Sequence, residues 1–183
     1  MKLSILVLFM ATAFSAETVI VFDPPQTKIG WTLGATMHTV HGTFQLKSGT
    51  VKFDPATGKA SGALIADARS GESGNSGRDE KMHGNILESS KFTEITFTPV
   101  RVEGKVPSAG AGIVQVHGSF LLHGSTHEMT LPFKLEVEGR QITASSTWKI
   151  PFVKWGLKNP STFILRVNDN VDVDIRAIGR ITQ

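Results

Sequence analysis

Over long stretches of this chain the apolar residues fall at every second position. Leu131, Phe133, Leu135 and Val137 alternate with Pro132, Lys134, Glu136 and Glu138, and Val171, Val173, Ile175 and Ala177 alternate with Asp172, Asp174 and Arg176. A period of two gives an extended strand one dry and one wet face, and gives a helix no apolar stripe. Strands are read over 18–22, 27–34, 37–47, 50–54, 60–68, 93–102, 112–123, 127–138, 140–150, 162–167 and 171–181, roughly eight to ten extended segments once short neighbours merge. No long helix is available to cover a flat sheet. An antiparallel sheet of this size must therefore close into a barrel or fold over into a sandwich.

The turns keep the dry faces in phase. Gly124-Ser125, read as a two-residue type II′ turn, pairs Phe120 with Met129, Gly118 with Leu131 and Val116 with Phe133. Glu138-Gly139 pairs Leu135 with Ile142, Phe133 with Ala144 and Met129 with Trp148. Ser48-Gly49 pairs Leu46 with Val51 and Phe44 with Phe53, and a loop over Asn168 to Asn170 sets Leu165 opposite Val173 and Phe163 opposite Ile175. Mostly apolar residues thus face apolar ones, so one continuous surface collects the dry faces. Asp54 to Gly58 carries the Pro and Gly of a turn. One stretch departs from the pattern: after a Gly/Ser-rich loop over Ser70 to Gly77, Arg78 to Glu88 carries Met82, Ile86 and Leu87 at helical spacing, with Asp79 near its start. A short helix over one barrel opening or edge is expected there.

Composition narrows the chemistry. The 183 residues include no cysteine, which excludes disulfides, thiolate metal sites and cysteine nucleophiles. A formal net charge of +3 without any run of Lys or Arg argues against nucleic acid as a partner. Met1-Lys2 followed by the apolar run Leu3 to Phe14 is too short to span a bilayer and has the proportions of a signal peptide. Small residues allow cleavage after Ser15, so residues 1–15 are read as the signal and 16–183 as one domain, in a periplasmic or secreted protein.

Enzyme signatures are missing. Neither serine of Gly71 to Gly77 stands in a G-x-S-x-G elbow, and there is no Walker loop, G-x-G-x-x-G or H-E-x-x-H. The six histidines, His38, His41, His83, His117, His123 and His127, do not converge in the register above, so no catalytic residue and no metal ligand is assigned. The inward surface says more. Trp31, Leu33, Phe44, Phe53, Ile95, Phe97, Phe120, Met129, Phe133, Trp148, Phe152, Trp155 and Phe163 place many rings on it. They line either a packed core or a tunnel for an apolar ligand, since an eight-stranded barrel suits both. Strands of about 11 or 12 residues, against a usual 5–6, favour the tunnel.

Several motifs in order resemble one family. His38-Thr39-Val40-His41-Gly42-Thr43-Phe44, Gly74-Asn75-Ser76-Gly77-Arg78-Asp79, Phe92-Thr93-Glu94-Ile95-Thr96-Phe97, Phe120 to His127 and Trp155 to Ser161 resemble the YceI-like polyisoprenoid-binding proteins. Thr93 stands where a proline is usual, and Gly84 lies inside the helix. The resemblance implies an all-β, extended antiparallel lipocalin-like barrel with one short helix. It also implies a non-catalytic carrier whose tunnel holds a polyisoprenoid, a quinone-like lipid or another long apolar chain, with no other cofactor. His38, Arg78 and His83 are candidates for contacts at the rim or with a headgroup. A transient membrane contact and a monomer or homodimer are expected.

Overall fold

Nine antiparallel strands carry the alternation into a closed wall. The computed structural model describes residues 17–36 and 38–182, so the signal-peptide reading lies outside the described residues. The strands are β1 (Thr18–Phe22), β2 (Lys28–Gly34), β3 (Thr39–Phe53), β4 (Ala60–Glu72), β5 (Glu94–Glu103), β6 (Gly110–Leu122), β7 (Ser125–Glu138), β8 (Gln141–Ile150) and β9 (Val171–Ile181). Their order is β1-β3-β2-β9-β8-β7-β6-β5-β4, with β4 returning to pair with β3 and β1 also pairing with β9. β1 and β2 share one place in the ring. Each lies between β3 and β9, β1 against Gly49–Phe53 and β2 against Thr39–Phe44. The barrel therefore has eight positions around its girth, each strand being paired on both sides over at least part of its length.

This arrangement corrects the hairpin read at Ser48-Gly49. β3 runs unbroken through both residues because it must serve β1 with one half and β2 with the other. A bulge between Leu46 and Ser48 adds one residue against β4. The extra residue exchanges the parity of the strand, so Leu46 and Val51 both face inward without a turn between them. The hairpin read over 162–167 and β9 is also corrected. Both edges of β9 are taken, Val173 pairing with Trp148 of β8 and with Trp31 of β2, and residues 162–167 form no strand beside it.

Two other turns are displaced by one residue each. The β6–β7 turn is His123-Gly124, both at positive φ (50° and 76°), a type I′ geometry rather than II′. Phe120 accordingly faces His127 instead of Met129, and Gly118 faces Met129 instead of Leu131. The β7–β8 turn is Gly139-Arg140, which sets Leu135 opposite Ala144. Each displacement moves the pairing by two residues. An even slip preserves the face of every side chain, which is why the inward set survives.

β4 runs on to Glu72, through residues read as loop. The helix follows as α1 (Ser76–Lys81) and a π-helical turn over Met82–Ile86. Asn75 caps α1 by accepting a hydrogen bond from the Arg78 amide at 3.0 Å. The wall is incomplete on one side. The ladder between β7 and β8 covers only Lys134–Glu138 against Gln141–Ser145. Beyond it, Ser125–Phe133 of β7 stay with β6 and Ser146–Ile150 of β8 stay with β9. Trp155, from the turn that follows β8, stacks on the His127 ring at 3.9 Å and 4° and meets Phe120 at 6.0 Å, filling that seam.

Candidate ligand cavity

The two ends of the barrel differ. At the end that carries the Asp54–Gly58 and Gly139-Arg140 turns, side chains such as Val137, Ile142, Ala144 and Ala177 close on one another and leave a void of about 70 Å³. At the other end the lumen opens into a cavity of about 970 Å³. That is near the upper end of the range of roughly 300–1,000 Å³ common for small-molecule sites. Leu64, Phe97 and Phe133 line both spaces and form the floor between them.

The structure brings nine of the thirteen inward residues named from sequence to this cavity: Trp31, Leu33, Phe44, Ile95, Phe97, Phe120, Phe133, Trp148 and Phe152. Glycines make the space. A Cβ on Gly42, which pairs with Trp31 across β2 and β3, would lie 2.3 Å from the indole ring. One on Gly118 would lie 2.8 Å from the ring of Phe97. Each ring is thus seated close against the backbone of the neighbouring strand.

Four residues fall elsewhere. Phe53 lines the small void at the packed end. Met129, half-buried, packs against the core without reaching the cavity, and Trp155 closes the β7–β8 seam. Phe163 is 98% exposed, because the strand that was to turn it inward does not exist. Sequence reasoning missed the aliphatic part of the lining: Val40, Leu46, Leu131 and Ile150 share the faces of the rings it chose, so the same alternation identifies them. The contribution of Met82, Ile86 and Leu87 follows from the helical spacing that marked this segment as a cover.

The mouth is polar. His38, Asn75, Arg78, Glu80, Lys81 and Asn85 line it, while the walls below are apolar. Arg78 is tethered, its Nε donating to Ser73 Oγ at 2.7 Å and its Nη2 to the Ser73 carbonyl at 2.9 Å. Ser73 in turn donates to Asp79, and this bond above all holds the Asp79 carboxyl below its ordinary value. His83 does not line the cavity. Its Nε2 donates to the Gly71 carbonyl at 2.8 Å, leaving Nδ1 to accept from Ser89 Oγ at 2.9 Å, so the ring pins the π turn to the end of β4. Three other histidines have separate partners: His41 meets Thr32, His117 meets Glu103 and Thr130, and His123 meets Glu88. Among the described residues no three His, Asp or Glu side chains form a group that could hold a metal ion.

The fold has solved counterparts. BcnA from Burkholderia cenocepacia matches with a TM-score of 0.70 at 19% identity, covering 86% of this chain and 98% of that one. A polyisoprenoid binding domain from Saccharophagus degradans matches at 0.68 and 14%, covering 88% and 98%. The YCEI protein of Campylobacter jejuni matches at 0.58 and 13%, covering 100% and 94%. No curated protein matches the chain. The family model of the YceI-like domain matches residues 21–178, from within β1 to within β9, and the chain belongs to that family.

Proposed function

We propose that this protein is a non-catalytic carrier that holds a polyisoprenoid or similar long apolar chain inside the barrel, for transport or storage. The observation that carries the reading is the cavity of about 970 Å³, walled by apolar side chains, with polar side chains at its rim. Such a shape takes an apolar chain inside and keeps a polar head at the mouth. Burying roughly 400 Å² of ligand surface at about 25 cal/mol per Å² yields on the order of 10 kcal/mol before the costs of ordering, so neither covalent nor metal chemistry is needed to retain it. The family and the polyisoprenoid binding domain of similar fold support this choice of ligand. The basic start and apolar run before Ser15 support an exported, periplasmic or secreted protein.

Organic extraction of protein purified from its native compartment, followed by mass spectrometry, tests the reading. A long-chain lipid near one per barrel is expected. A lipid-free extract from folded protein overturns it.

A further inference from the structure

The two most exposed large apolar side chains among the described residues are neighbours, Phe163 at 98% and Ile164 at 81%. They are not on a loose loop. The Thr162 amide donates to the Leu165 carbonyl at 2.8 Å and the Leu165 amide to Thr162 Oγ1 at 3.0 Å, so residues 162–165 form a closed turn with Phe163 and Ile164 at its tip. Below the tip, Val167 donates its amide to Ser161 Oγ at 2.9 Å and Asn159 Nδ2 donates to the Val167 carbonyl at 3.2 Å. The Thr36 amide donates to the Arg166 carbonyl at 2.9 Å, tying this finger to the β2–β3 connection. Thr162 and Leu165, which flank the tip, both line the cavity. The finger therefore stands at the mouth.

The finger's own charge is one-sided: residues 151–167 include Lys154, Lys158 and Arg166 and no acid. The rim beside it is mixed: Arg78 and Lys81 stand with Glu80, while Glu88 is hydrogen-bonded to His123, Asp79 to Ser73 and Asp169 to Asn159. A fully exposed apolar pair on a tied support needs a partner that is itself apolar. The cations of the finger, Lys154, Lys158 and Arg166, suit a surface that is anionic outside and apolar just beneath, which is a lipid bilayer bearing anionic headgroups. An acidic protein surface without an apolar pocket would leave Phe163 and Ile164 unburied.

We infer that the 159–167 finger is a membrane-docking element, which inserts Phe163 and Ile164 among the lipids of an anionic bilayer and so presents the cavity mouth to the membrane. The inference rests on the carrier reading for its purpose but not for its test. Flotation with vesicles of phosphatidylglycerol and phosphatidylcholine, against vesicles of phosphatidylcholine alone, compares the wild-type protein with the Phe163→Ser/Ile164→Ser variant. Both chains share one N terminus, so any difference reads the finger. Wild type is expected to float with the anionic vesicles and the variant at least tenfold less.

Because the chain has no cysteine, Phe163→Cys and Ile113→Cys each accept a single environment-sensitive fluorophore. Anionic vesicles should shift the emission to the blue at position 163 and leave it unchanged at 113, a site on β6 remote from the mouth. Equal flotation of wild type and variant overturns the inference, as does an unshifted probe at 163. A wild-type dimer that the double substitution turns into a monomer, with no vesicle binding by either, also overturns it and assigns the patch to a second copy. Failure of lipid extraction would sink the carrier reading and leave the vesicle result standing.

Discussion

The barrel's two ends are made by the same strands yet do opposite things, and the difference lies in how the wall is completed. At the packed end the β7–β8 ladder is present, and small or β-branched residues such as Val137, Ala144 and Ala177 are packed with almost no exposed surface. At the open end that ladder has stopped, the rings of Trp31 and Phe97 lie against glycines, and a helix rather than a turn spans the mouth. Strand pairing closes the wall but does not fill the lumen. Filling depends on which side chains the pleat turns inward, and where they point.

Cavity-creating substitutions should show the contrast most strongly. Ile142 is 1% exposed and borders the packed end, so Ile142→Ala should cost about 2–5 kcal/mol in urea unfolding. Leu33 already faces the open cavity, where fewer neighbours lose contacts, and Leu33→Ala should fall below that range. Equal costs at the two ends would mean that the open end is packed in solution and that the contrast is wrong.

Overpacking sharpens the same comparison from the other direction. Ala144 faces the small void and is 4% exposed, so Ala144→Phe should destabilise by about 1–3 kcal/mol. Ala66 lies on β4 with its side chain toward the large cavity, which has room for a ring. Ala66→Phe should fold with little change in unfolding midpoint and carry less extractable lipid than wild type. A large loss of stability in Ala66→Phe, with lipid retained, would place the ligand elsewhere.

How much of this was legible depends on the range of the interaction. Alternation is local, so β1 and β9 are found at the bounds read from sequence, and Phe120, Phe133 and Trp148 of β6, β7 and β8 reach the cavity although both turns between these strands are displaced, while Met129 does not. What sequence could not supply is competition for edges. That 162–167 has no place beside β9 depends on β2, more than 130 residues earlier, having taken that edge. The bulge at Leu46–Ser48 was hidden for a related reason: Ser48-Gly49 has turn chemistry, and only the demand that β3 serve both β1 and β2 keeps it extended. Of the candidate site, the rings of the inward faces were legible. The finger was not, because Phe163 and Leu165 read as one face of a strand, whereas a closed turn sends the first to solvent and the second to the cavity.

The smallest expected effect compares two His–Glu pairs on the outer surface. Glu88 accepts a hydrogen bond from His123 Nε2 at 2.6 Å near the open end, and Glu103 accepts one from His117 Nε2 at 2.9 Å toward the packed end. In each case that bond is the main reason the glutamate titrates below its ordinary range. A carboxyl depressed on folding adds stability that is complete above its unfolded value and is lost as pH falls through its folded value. The gap in Tm between wild type and Glu88→Gln should therefore be open at neutral pH and close in acid, below the usual glutamate range. It should exceed the gap for Glu103→Gln, because His123 is less exposed than His117 (21% against 36%) and also packs on the Phe92 ring at 4.3 Å. Differential scanning fluorimetry across the acid range measures both gaps. If the Glu88→Gln gap does not change with pH, the carboxylate's charge has no part in holding the segment beside the mouth, and the pair is held there by shape alone.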